Sequence, residues 1–218
     1  MSGARSETTR IAGQIIAIAN AMDAAGFAPS KSGNVSARTK DGFLITPTGK
    51  AYAALAPRDL VQLDLDGTLL SGKLQPSSEW RFHAALYASQ PGCNAVVHNH
   101  APRATALSCA RKSIPAFHYM IAITGGTDIP CAAYATFGTP ELAANLVRAI
   151  GNRKAALLAN HGAVTWGASL AQAWTIAQEV ENLAGQYLDL LASGLKPVIL
   201  DKPEMQRVIA KFADYGKV

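Results

Sequence analysis

The chain has 218 residues, 49% of them apolar and 16% charged, with a net charge of +5. This balance fits one folded domain with a substantial core and excludes a disordered or fibrous chain. The basic residues are scattered, with no run longer than Arg111-Lys112 or Arg153-Lys154; that argues against a nucleic-acid partner and suits a small anionic substrate.

Cys93, Cys109 and Cys131 show no Cys-x-x-Cys spacing, so they read as reduced thiols of a cytoplasmic protein. Met1 to Arg10 is polar, without the apolar stretch of a secretory leader, and no apolar run approaches membrane-spanning length.

In chain order, Glu7 to Ala25 carries Ile11, Ile15, Ile16, Ile18 and Met22 at helical spacing and stops at Gly26. Ser32-Gly33-Asn34-Val35-Ser36-Ala37-Arg38 reads as a small-residue turn entering a strand. Its Gly-Asn pair serves either as an ordinary tight turn or as a nest of backbone N–H groups for an anion. Phe43-Leu44-Ile45 is a strand running into Thr46-Pro47-Thr48-Gly49, which places hydroxyls and a glycine at a strand end. Leu60 to Asp64 is a further strand, turned at Asp66-Gly67 onto Thr68-Leu69-Leu70. Pro76-Ser77-Ser78-Glu79 opens a helix over Trp80 to Ser89, with Glu79 in its first turn. A helix start also suits a phosphate, and Glu79 beside it is available as an acid or base.

Ala95-Val96-Val97-His98-Asn99-His100 reads as a buried strand ending at a rim. Side chains alternate along a strand, so His98 and His100 point one way and Asn99 the other. A catalytic zinc site takes three protein ligands and keeps an open position, and His161, at the end of another apolar run, is the candidate third ligand. The same pattern also fits histidines that line a polar cleft with no metal. Ala104 to Ala110 reads as a short helix, Ile114 to Met120 as mixed, and Ile129 to Tyr134 as a strand. Thr139 and Pro140 suit the start of a helix over Glu141 to Ile150. Ala155 to Ala159 is a strand with His161 at its end. Ser169 to Ser193 is a long helix with one apolar stripe, and Pro203 to Ala213 a last amphipathic helix. The alternation predicts a single α/β or α+β domain over residues 1–218, with a central sheet covered by helices.

Taken together and in this order, Ser32-Gly33-Asn34-Val35-Ser36, Ile45-Thr46-Pro47-Thr48-Gly49, Pro76-Ser77-Ser78-Glu79-Trp80, His98-Asn99-His100 and Asn160-His161-Gly162 resemble the class II aldolase/adducin family. The likeness extends through Ile114–Met120 and Tyr134–Thr139 to Tyr215-Gly216. It implies a mainly antiparallel central sheet with helices on both sides, zinc as cofactor, and a fourfold-symmetric homotetramer with active sites between subunits. The implied activity is reversible retro-aldol cleavage of a ketose 1-phosphate, such as L-fuculose 1-phosphate, into dihydroxyacetone phosphate and a lactaldehyde-like aldehyde.

Carried over by resemblance, His98, His100 and His161 match the zinc ligands. Glu79 matches the catalytic carboxylate, which also ligates the metal when substrate is absent. Gly33, Asn34, Thr48, Gly49, Ser77 and Ser78 match the phosphate-binding set. Tyr119 matches a catalytic tyrosine that reaches the site of a neighbouring subunit, Tyr215 a C-terminal catalytic tyrosine, and Phe137 an aromatic at the aldehyde end. Asn160 departs from the pattern, which has a histidine there, and the loop before Pro76 is longer. A related epimerase, decarboxylase or dehydratase is the alternative within the family, although the epimerases have Asp where this chain has Glu79. A non-catalytic adducin-like binding module is the alternative from another class.

Overall fold

The computed structural model describes residues 2–214, so Tyr215 lies outside the described residues. Among these, the strands are β1 (Asn34–Thr39), β2 (Gly42–Ile45), β3 (Val61–Leu63), β4 (Leu69–Ser71), β5 (Ala95–Asn99), β6 (Cys131–Ala132), β7 (Ala155–Leu158) and β8 (Gly162–Gly167). They form one sheet in the order β4-β3-β2-β1-β5-β8-β7-β6. Neighbours run antiparallel throughout, except that β6 is parallel to β7.

The helices are α1 (Ser2–Ala24), α2 (Trp80–Ser89), α3 (Pro102–Cys109), α4 (Pro140–Ile150), α5 (Leu170–Ala192) and α6 (Lys202–Asp214). They cover both faces, because the strands alternate apolar side chains to both sides. On one face Phe43, Ile45, Val96, Leu158 and Val164 pack under Phe82 and Leu86 of α2 and Leu142 and Leu146 of α4. On the other, Leu44, Ala95 and Val97 pack under Ile15, Ala19 and Met22 of α1. Farther along that face, Leu157 and Ala163 lie under α3 and α5 through Leu107, Ile176 and Leu183. The expected helix starts at Thr139 and Ser169 are capped, each hydroxyl accepting from the backbone N–H three residues on.

Four local expectations change. β8 follows His161 immediately, in a stretch with a glycine at each end that is not among the expected strands. It is buried along its whole length and pairs with both β5 and β7, so long-range pairing overrides local turn chemistry. The expected strand Ile129–Tyr134 shrinks to Cys131–Ala132, since Pro130 has no N–H to give to a ladder. Glu79 stands at the N-cap position of α2 rather than in its first turn, and no side chain caps that helix. The mixed segment around Tyr119 resolves as a 3₁₀ helix, Tyr119–Thr124.

Candidate active site

β5 ends in His98-Asn99, with His100 just beyond, and β8 lies beside it with His98 opposite Val164 and Asn99 opposite Ala163. That pairing brings the tight β7–β8 turn, and His161 with it, over the end of β5. The turn closes through Asn160 in the left-handed region at φ 56°, which asparagine tolerates. Two glycines permit the close approach. A β-carbon on Gly162 would lie 2.4 Å from the Asn99 carbonyl oxygen, and one on Gly33 would lie 2.8 Å from that of His98.

One ligating nitrogen from each of His98, His100 and His161 can be chosen so that all lie within 4.8 Å of one another. The His98 Nδ1 is 3.0 Å from the Ala163 carbonyl oxygen. A carbonyl only accepts, so Nδ1 donates to it, and Nε2 is the ring nitrogen left to face the cluster. That Nε2 faces the His100 Nε2 at 3.0 Å and the Glu79 Oε2 at 3.1 Å. Glu79 Oε1 is 3.1 Å from the His161 Nε2 yet buried without a hydrogen-bond partner. Nitrogen lone pairs and carboxylate oxygens thus converge on one point. This donor set fits a divalent cation, with zinc the natural choice for three imidazoles and a carboxylate.

The electrostatics agree in sign. Burial works to raise the Glu79 carboxyl, but the adjacent His98 and His161 rings outweigh it and hold the group well below the usual carboxylate range. Burial, reinforced by His98 and His161, pushes His100 down to about 3, so its ring is neutral and free to ligate.

Beside the histidines lies a cleft of about 330 Å³. Gly33, Asn34, Thr48, Gly49, Ser77 and Ser78 line it with Glu79, His100 and His161, and Tyr134 and Phe137 form an exposed aromatic rim. The structure therefore brings the expected metal, carboxylate and phosphate-set residues together with Phe137. Within that set, Gly33 has both backbone groups engaged by Tyr52, whose hydroxyl accepts from its N–H at 3.1 Å and donates to its carbonyl. The Asn34 side chain is engaged by Glu79 and His83. Asn160 accepts from the Arg111 guanidinium at 2.9 Å.

Tyr119 is not brought to this cleft. It is half exposed and lines a separate cavity of about 990 Å³, together with Met120, Val208 and Phe212. Sequence reasoning missed Tyr134 at the rim, and Ser36, His83 and Tyr87 behind Glu79. A polar residue every fourth position along one side of a helix, as in Glu79, His83 and Tyr87, is the signal that could have found the last two.

Residues 13–188 match the model of the class II aldolase and adducin N-terminal domain. The chain belongs to the class II aldolase and adducin family. It is 49% identical over 210 residues to the L-fuculose phosphate aldolase of Escherichia coli strain K12, covering 96% of this chain and 97% of that one. It is 47% identical over 202 residues to the 5-methylthioribulose-1-phosphate/5-deoxyribulose-1-phosphate aldolase of Rhodospirillum rubrum, covering 93% and 90% of the two. A solved L-fuculose 1-phosphate aldolase structure superposes with a TM-score of 0.90 at 35% identity, over 94% of this chain and 97% of that one. Among the described residues, no helix is long and apolar enough to cross a membrane.

Proposed function

We propose that this class II aldolase uses zinc to cleave a ketose 1-phosphate reversibly into dihydroxyacetone phosphate and an aldehyde. The observation that carries the reading is the convergence of three histidine nitrogens and the buried Glu79 carboxylate at the edge of a cleft lined with hydroxyls. The same residues speak against a non-catalytic adducin-like module, which has no use for such a donor set. Glu79, rather than aspartate, speaks against an epimerase. The solved L-fuculose 1-phosphate aldolase and the Rhodospirillum rubrum aldolase are named for different substrates that share one chemical head, a ketose phosphorylated at C1.

His98, His100 and His161 would hold the ion, with Glu79 as a further ligand when the cleft is empty. The ion supplies Lewis acidity for the charge that develops when the C3–C4 bond breaks. Ser77 and Ser78, at the start of α2, and Thr48 and Gly49 present hydroxyls and N–H groups to the phosphate, which fixes C1 and thereby the reacting carbons. Glu79 takes the proton from C3 of dihydroxyacetone phosphate in condensation and returns it in cleavage. Tyr119 reaches the cleft of a neighbouring subunit of a homotetramer and donates to the oxygen at C4. Phe137 and Tyr134 face the aldehyde half, where the candidate substrates differ.

A panel of L-fuculose 1-phosphate, 5-deoxyribulose 1-phosphate and 5-methylthioribulose 1-phosphate, assayed for dihydroxyacetone phosphate, tests the reading. Release from at least one of them is expected, lost on chelation and restored by zinc. No release from any member overturns it.

A further inference from the structure

Glu79, His83 and Tyr87 recur every fourth residue from the N-cap of α2, and Asn34 and Ser36 alternate on the facing side of β1. Four helical residues rise about 6 Å and two strand residues about 6.6 Å, so the two rows mesh. The result is one continuous chain of hydrogen bonds. The Tyr87 hydroxyl is 2.7 Å from Ser36 Oγ, which is 2.6 Å from His83 Nδ1. His83 Nε2 is 2.5 Å from Asn34 Oδ1, and Asn34 Nδ2 is 2.9 Å from Glu79 Oε2. Every member is buried.

The direction of the chain is fixed from its Glu79 end. A carboxylate only accepts, so the Asn34 Nδ2 donates to it and Asn34 Oδ1 turns toward His83. That oxygen also only accepts, so His83 Nε2 carries the proton. The bare Nδ1 then accepts from Ser36, which accepts in turn from Tyr87. Flipping the Asn34 amide would set its oxygen against the Glu79 carboxylate, and the His83 N–H is what opposes the flip.

We propose that His83 is a positioning residue for the proton transfer, its Nε2–H locking the Asn34 amide so that it holds Glu79 with Oε2 toward His98 and Oε1 toward His161. The proposal rests on the reading of Glu79 as the proton carrier. It assigns the Asn34 side chain to the carboxylate rather than to the phosphate. Burial, with His98 nearby, keeps the His83 ring neutral, pushing it down to about 3, which leaves Nδ1 free for Ser36.

The test compares His83→Phe, His83→Gln and Glu79→Gln with the wild type for bound zinc, kcat and KM on the ketose 1-phosphate that the panel identifies. His83→Phe is expected to keep its zinc and to change KM by less than about twofold, while kcat falls about 10–100-fold. His83→Gln, which restores a donor nitrogen, is expected to recover much of that loss. A His83→Phe with wild-type kcat overturns the proposal, as does one whose kcat falls only in proportion to lost zinc, or a His83→Gln as slow as His83→Phe. Wild-type turnover in His83→Phe beside an inactive Glu79→Gln removes the proposal alone, whereas turnover in zinc-loaded Glu79→Gln removes the reading of Glu79 beneath it. Nitrogen-15 correlation of the wild-type His83 ring needs no variant: a proton on Nε2 and a bare Nδ1 support the proposal, and a proton on Nδ1 overturns it.

Discussion

A buried carboxylate oxygen and an imidazole nitrogen that face each other at 3.1 Å repel unless a proton or a metal cation lies between them. Glu79 and the three histidines are therefore best understood as one unit, and removing a histidine should act first on the metal. His98→Ala is expected to lose most of its zinc, and metal analysis at full wild-type occupancy would contradict the assignment. The phosphate set behaves differently. Ser78 is exposed and Ser77 only accepts a bond from the Glu79 N–H, so neither hydroxyl supports the core. The Ser77→Ala/Ser78→Ala double variant is expected to fold normally and to raise KM for the phosphorylated ketose at least about tenfold, as loss of hydrogen bonds to a charged group does. An unchanged KM places the phosphate elsewhere. At this scale the sequence singled out His98, His100 and His161 by their place at strand ends, while the choice between a metal site and a polar cleft came from the family resemblance. It was silent on His83, whose role depends on meeting Asn34 and Ser36, distant in the chain.

The helix–strand pair α2–β1 carries the buried polar ladder, and its cost appears in acid. The His83 ring resists protonation down to about 3, against an ordinary value of 6.5. Between those values the unfolded chain takes up a proton that the folded ring refuses, so this site lowers stability as pH falls below 6.5. The loss reaches about 1.4 kcal/mol per pH unit and is absent above that window. Urea midpoints at pH 7 and pH 5 should therefore differ more for the wild type than for His83→Gln; equal differences contradict it. The β5–β8 pair is constrained sterically. Gly162→Ala, with its β-carbon 2.4 Å from the Asn99 carbonyl oxygen, is expected to destabilise by about 1–3 kcal/mol and to weaken zinc binding by displacing His161. A thermal midpoint and zinc affinity equal to wild type would show that the strands can part without cost. Strand β8 escaped the sequence reading for a related reason. Gly162 lets β5 and β8 approach and Gly167 lets β8 lie against α5, contacts that the local sequence does not reveal.

Across the whole molecule, one sheet runs from β4 to β6 with helices on both faces, and the histidine cluster sits where β5 and the β7–β8 turn meet. The fold class was legible because the apolar runs were short and bounded by turn residues. The strand order was not, since it depends on pairing between β5 and β8, far apart in sequence. The distance of Tyr119 from the chain's own cleft accords with a site completed by a second subunit. Co-expression of Glu79→Gln with Tyr119→Phe tests this: hybrid oligomers should regain activity that neither parent has, and hybrids no faster than their parents contradict shared sites. In the proposed reaction Glu79 moves the proton at C3 of dihydroxyacetone phosphate, and exchange of that proton with deuterated solvent isolates the step from aldehyde binding. Exchange is expected in the wild type, lost on chelation, restored by zinc, and reduced about 10²–10⁴-fold in zinc-loaded Glu79→Gln. Exchange at the wild-type rate in zinc-loaded Glu79→Gln would contradict it.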